Sequence, residues 1–225
     1  MRKVWLAFVI AGLMAVWSAP ASAVVLYDNG GPSYFNGYFS DTVNTANGGP
    51  WQAYDNFTLT SGATITGMEW WGGYYPGNNP PSGGDIFDYL IATYPGGGGQ
   101  PGAVITSGSL DLSRTDTGSE DLPGMEVYQY DAVPSPVISL GAGEYYLCIY
   151  DTASNTTGEE FTWESSATGA NEWSNNIPTG DWYDNADVSL AFNLTGTTVP
   201  EPATMTLLGL GLAGLGAKLS RRKSR

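Results

Sequence analysis

Between residues 24 and 199 the chain never sustains the three-to-four-residue apolar spacing of a helix. Short runs rich in aromatic and β-branched residues follow one another instead, cut by Gly, Asn, Thr and Pro. Phe57 and Leu59 alternate with Asn56 and Thr58, and Val188, Leu190, Phe192 and Leu194 share the same period of two. That period gives a strand one buried face. The pattern predicts strands over 51–59, 64–71, 87–94, 104–112, 125–132, 137–140, 144–150, 161–164 and 188–194. Turns are expected at Ser61-Gly62, Gly96 to Gly99, Pro123-Gly124 and Gly141-Ala142-Gly143. Many short strands with regular turn signals point to an all-β protein, a single β-sandwich (jelly-roll-like) domain over residues 24–196. A stretch of about 175 residues is enough for one sizeable core.

Charge narrows the partners. Within residues 24–199 one base, Arg114, stands against twenty-one acids, a formal charge of −20 against −14 for the whole chain. Such a surface repels nucleic acid and anionic lipid and attracts divalent cations. The abundance of aromatic and aliphatic residues argues for a packed core and against disorder. The chain has no histidine, which removes Ser-His-Asp and Cys-His nucleophile systems and His-ligated zinc. Cys148 is the single cysteine, so no intrachain disulfide can form. Its setting, Tyr145-Tyr146-Leu147-Cys148-Ile149-Tyr150, reads as a buried strand.

Both termini carry addresses. Met1-Arg2-Lys3, an apolar stretch over 4–17 and the small residues Ala21-Ser22-Ala23 form a secretory signal peptide, with cleavage by signal peptidase expected between Ala23 and Val24. At the other end Val199-Pro200-Glu201-Pro202 precedes an apolar run over 203–219 and the basic tail Arg221-Arg222-Lys223-Ser224-Arg225. These seventeen residues make a helix of roughly 25 Å, at the short end of what spans a bilayer. The basic tail would stay cytoplasmic and the domain outside. A linker, Gly196-Thr197-Thr198, is expected between domain and motif, within a C-terminal unit of 197–225.

The motif, the Gly/Leu-rich span and Arg221-Arg222-Lys223, in that order, resemble the PEP-CTERM sorting signal. The resemblance implies processing by an exosortase, transient residence in the inner membrane, and a host that makes exopolysaccharide. The body of the chain is similar to a β-sandwich domain common among proteins with that signal. The similarity rests on Asp55-Asn56-Phe57-Thr58-Leu59, Ile65-Thr66-Gly67-Met68-Glu69-Trp70-Trp71-Gly72, Gly98-Gly99-Gln100-Pro101-Gly102, Ser139 to Tyr146 and Asp187 to Phe192. These are turn glycines and core aromatics, which specify a fold and carry no catalytic residues.

Candidate sites are few. Trp70 and Trp71 would face opposite sides of a strand, leaving one in the core and one exposed. With Trp182 and Tyr183 they are the residues suited to stacking on sugar rings, though large aromatics also fill sandwich cores. Asp181, Asp184 and Asp187 gather hard oxygen ligands within seven residues and form a candidate calcium loop, which a solvated acidic loop would equally explain. Glu159, Glu160 and Glu164 could contribute to a glycosidase carboxyl pair, but with so many acids chance pairs are unavoidable. The expectation is a non-enzymatic, exported cell-surface or matrix protein, structural or adhesive in an exopolysaccharide-rich envelope or biofilm. A carbohydrate-binding module is the alternative and a glycoside hydrolase the third reading.

Overall fold

The computed structural model describes residues 23–44, 48–77, 80, 84–121, 125–153, 158–167, 172–185 and 187–199. Residues 1–22, which include Ala21, and the sorting tail from Pro200 onward lie outside the described residues, as does the turn expected at Pro123-Gly124. The rest is all-β, with no helix among the described residues and none there long and apolar enough to cross a membrane.

Thirteen strands follow in order: β1 (Val24–Asp28), β2 (Pro32–Phe39), β3 (Trp51–Leu59), β4 (Ala63–Tyr75), β5 (Phe87–Thr93), β6 (Val104–Asp121), β7 (Met125–Ser135), β8 (Ile138–Leu140), β9 (Gly143–Asp151), β10 (Glu160–Ser166), β11 (Glu172–Asn176), β12 (Asp181–Asn185) and β13 (Phe192–Thr198). They join in one hydrogen-bonded sheet of order β1-β13-β4-β7-β6-β5-β9-β3-β11-β12. Off this path β8 pairs with β4, and β10 bridges β4 and β2. Every strand-to-strand pairing is antiparallel. The sheet curls into an open half-barrel around its apolar face.

The core follows the alternation where it is clean and a bulge where it is not. Ala53, Phe57 and Leu59 of β3 face inward together. On β4 the odd-numbered Ile65 and the even-numbered Met68 and Trp70 share that face. A bulge reconciles them: Thr195 of β13 pairs with Gly67 and the next residue, Gly196, with Ile65, so Thr66 is the extra residue. Farther along β4, Gly72 and Gly73 have no side chain because neighbouring strands press on them. A Cβ on Gly72 would lie 2.5 Å from the Thr162 carbonyl, and one on Gly73 would lie 2.3 Å from the Glu126 carbonyl.

Aromatic rings dominate the interior. Trp70 stacks on Tyr130 at 5.1 Å and 9°, while Phe87 meets Phe161 edge-on at 4.6 Å. Cys148 is buried and free, as its strand context implied. It belongs to a second cluster with Tyr54, Leu90 and Tyr146 on the opposite face of β3, β5 and β9.

Two expectations change here. The strand predicted over 188–194 begins only at Phe192. The reason is Asp55, which is fully buried and draws the preceding residues out of the ladder. Its Oδ2 accepts hydrogen bonds from Leu190 N, Ser189 Oγ and Asn29 Nδ2 at 2.6–2.7 Å. Burial pushes this carboxyl up to about 7, against the pull of those donors. The second change concerns the linker. Gly196, Thr197 and Thr198 belong to β13 and pair with Ile65, Thr64 and Ala63, and Val199 N donates to Gly62 O at 2.7 Å. No free linker separates the folded sheet from Val199.

Candidate functional site

The residues singled out in the sequence separate in space. Trp70 has no exposed surface and Trp71 only 9%. Trp71 packs with Val127 and Ala191 on the face of β4 opposite Trp70. The expectation that one of the two is exposed is therefore corrected: Val127 of β7 and Ala191, just before β13, cover the second face. Trp182 and Tyr183 point to opposite sides of β12, as adjacent strand residues must. Trp182 turns toward Tyr54, at 5.2 Å between centroids, and toward Trp173. Tyr183 is 48% exposed on the other side.

The acidic segment is a strand over most of its length. Asp181 and Asp184 are exposed and three apart on β12, so they face opposite sides, while Asp187 follows the strand. Among the described residues no three carboxylate, histidine or cysteine side chains come together as a metal site. Glu164 is buried in contact with the Asp121 carboxyl. Burial, then that neighbouring acid, pushes Glu164 up to about 9, so the pair retains a proton at neutral pH. Ala23 and Val24 open the described structure and Val199 closes it, whereas Pro200, Glu201 and Pro202 lie outside the described residues.

The arrangement best suited to a ligand lies where the sheet fails to close. β2 pairs only with β10 and β12 only with β11, so each is a free end of the ladder. Between them runs a groove of about 250 Å³ lined by Gly37, Tyr38, Phe39, Trp51, Ser174, Tyr183 and Asn185. Strand register builds it. Ser174 sits opposite Tyr183 and Glu172 opposite Asn185, while Asn176 places Trp51 of β3 on the same face. Gly37 is needed for β2 to approach β10, since a Cβ there would meet Thr162 Cγ2 at 2.5 Å.

The groove has aromatic walls and a polar floor. The Trp51 and Tyr183 rings lie 5.6 Å apart, inclined by 56°. Beneath them Glu172 is fully buried. It accepts hydrogen bonds from Ser174 Oγ at 2.6 Å and from Asn185 Nδ2. Burial pushes Glu172 up to about 8, against those two donors, so it carries a proton at neutral pH. Asn185 has its amide nitrogen committed, which leaves its amide oxygen as an acceptor. The buried Trp51 Nε1 meets no acceptor among the described residues.

A second concavity, of about 660 Å³, lies on the other side of the sheet against β13, β4, β7 and β6. Glu69 and Asp131 stand opposite each other there. Gln129 Nε2 bridges them at 2.8 and 3.2 Å, and Asn193 Nδ2 donates to Glu69 at 2.7 Å. Burial raises Glu69 above the ordinary carboxylate value. The amide donors answer these paired acids internally, while the buried Asn193 Oδ1 meets no donor among the described residues.

Of the groove residues the sequence reading named only Tyr183. The pattern places Trp51 on a strand and Asn185 within the acidic segment 181–187, and gives Tyr38, Ser174 and Glu172 no role. One signal was present: the alternation Glu172, Ser174, Asn176 against Tyr183 and Asn185 is a polar period of two.

Residues 198–223 match the family model described as the PEP-CTERM protein-sorting motif. No curated protein matches the chain. The motif marks an exported, exosortase-targeted protein that is sorted in association with a membrane.

Proposed function

We propose that this chain is a cell-surface or extracellular-matrix protein with a structural or adhesive role in an exopolysaccharide-rich envelope, and that it catalyses nothing. The observation that carries the reading is the sorting motif at 198–223, directly behind a compact extracellular-type domain. The boundaries of the fold support it. β1 begins at Val24, the first residue after the expected signal cleavage, and the ladder ends at Thr198, where the matched motif begins. Removal of both ends would leave every strand intact. The sandwich-like reading of the domain draws on the same curvature, because the inward faces of β3, β4, β7 and β10 pack on one aromatic core.

The test is to replace Pro200-Glu201-Pro202 by three alanines in the host. The expected result is an uncleaved, membrane-held form that retains Arg221–Arg225 and is missing from the matrix. Unchanged tail removal and unchanged matrix content would end the reading. A carbohydrate-binding role is the second reading, favoured by the open aromatic groove between β2 and β12.

A further inference from the structure

We infer that the contact between Asp121 and Glu164 is a proton-operated latch: one shared proton keeps strand β2 on the sheet, and its loss at alkaline pH releases β2 and bares the edge of β10. The inference stands apart from the adhesive reading above.

Two buried acids with nothing to balance them come first. Glu164 has no exposed surface, and Asp121 is buried at the end of β6. Both Glu164 carboxyl oxygens and Asp121 Oδ1 meet no aligned hydrogen-bond partner among the described residues. The strands around them bring no base. β6 brings Asp121 itself, and β2 brings Tyr34, whose N–H approaches the Glu164 carboxyl. β10 carries Glu160 on the same side of the strand, and β4 meets β10 at Gly72, Gly73, Tyr74 and Tyr75. The chain before β13 brings Ala191, whose N–H donates to the Glu164 carbonyl. Arg114, the one base among the described residues, is engaged by both Asp85 carboxylate oxygens at 2.8–2.9 Å. Two carboxyls in contact in a dry site cannot both ionise, and a shared proton supplies the hydrogen bond they lack. Burial, then Asp121, pushes Glu164 up to about 9.

Register selects the strand that gives way. β2 pairs with β10 and with no other strand. Glu164 pairs with Gly37 and Ser166 with Pro32, so Ser33, Tyr34, Phe35 and Asn36 together stand opposite Ser165. The ladder is thus broken beside the latch, and Tyr34 sits in the left-handed region at φ 55°. Both flanks are tethered: Asn29 Nδ2 donates to Asp55 at 2.7 Å and Ser40 Oγ to the Ile149 carbonyl at 2.6 Å. Between those anchors β2 can swing away without breaking any other strand pairing. A second negative charge on the latch needs water, and lifting β2 admits it.

The closed form holds the proton more tightly than open solvent does, where glutamate titrates near 4.5. Closure is therefore at full strength below about 4.5 and weakens as pH rises toward about 9. Between those limits the opening constant grows about tenfold per pH unit.

The experiment uses the full chain in detergent and reads hydrogen exchange of the β2 and β3 segments by mass spectrometry from pH 6 to 8, each rate divided by the intrinsic rate at that pH. In the wild type, protection of the β2 amides should fall about a hundredfold over that range while β3 keeps its protection. In Glu164→Gln, whose amide can donate to Asp121, the fall should shrink to less than about threefold. Asp121→Asn should do the same, and it keeps the test alive if Glu164→Gln does not fold. Flat β2 protection in the wild type, the same fall in both variants, or an equal loss in β3 would overturn the latch. So would millimolar calcium restoring β2 protection at pH 8 in the wild type but not in Glu164→Gln, because the pair would then hold a cation in place of the proton.

Discussion

Two sets of aromatic rings divide this molecule, and they differ in closure rather than composition. Around Trp70 the strands pair on both sides and the rings of Tyr130, Phe87 and Phe161 seal one another from water. Around Trp51 the sheet ends, and Tyr183 packs against its ring while standing half in solvent. The same residue types therefore act as filler in one place and as an exposed wall in the other. What separates them is whether the next strand finds a partner.

The strongest test of that contrast is Trp70→Ala. Emptying a fully buried indole site should cost about 3–5 kcal/mol, a large part of an ordinary domain's stability. Denaturant unfolding reads it, and a loss under about 1 kcal/mol would show that the core is not sealed around Trp70.

Glu172→Gln tests the floor of the seam. Its carboxyl is held near 8 in the fold against an ordinary 4.5, so the folded form binds the proton more tightly. The associated stability is complete below about 4.5, falls as pH rises toward about 8 and is constant above that. The glutamine variant should lose this part of the decline, about 4 kcal/mol between pH 5 and 9. Parallel pH profiles for the two proteins would mean that Glu172 is ionised throughout.

Tyr183→Ala should change stability by less than about 1 kcal/mol, because half of the ring already lies in water. A loss comparable to that of Trp70→Ala would make Tyr183 a core residue and erase the distinction between the two regions.

The smallest effect is expected from Asp181→Asn. Asp181 and Asp184 face opposite sides of β12 and cannot chelate one ion together. The difference between thermal midpoints in millimolar calcium and in chelator should match the wild type's to within experimental error. A calcium response that disappears in the variant would restore a metal site at this strand.

What could be seen in the sequence follows the same division. Strands with a clean buried period were legible: 51–59 agrees with β3 end to end, and 87–94 and 144–150 agree with β5 and β9 to within a residue. β1, β2, β11 and β12 were not predicted. β1, β2 and β12 are partly exposed free ends of the sheet, and β11 buries a polar face of Glu172, Ser174 and Asn176. A terminal strand buries too little to impose an apolar period. The groove is built largely from three of those four strands, which is why it was passed over while Trp70 and Trp71 drew notice.

Sequence alone determined the all-β class, the isolation of Cys148, the acidity of the domain and the sorting motif at its end. Each is local or additive: alternation within a strand, a count of charges, an ordered run of residues. Only the tertiary structure decided which tryptophan is sealed, that Trp182 and Tyr183 serve different faces, and that Gly196-Thr197-Thr198 is strand rather than linker. Those outcomes depend on pairings between residues more than a hundred positions apart, such as Asp55 with Leu190 and Trp51 with Asn176. A ring or a carboxyl takes its role from what the curled sheet brings against it, and no local pattern carries that information.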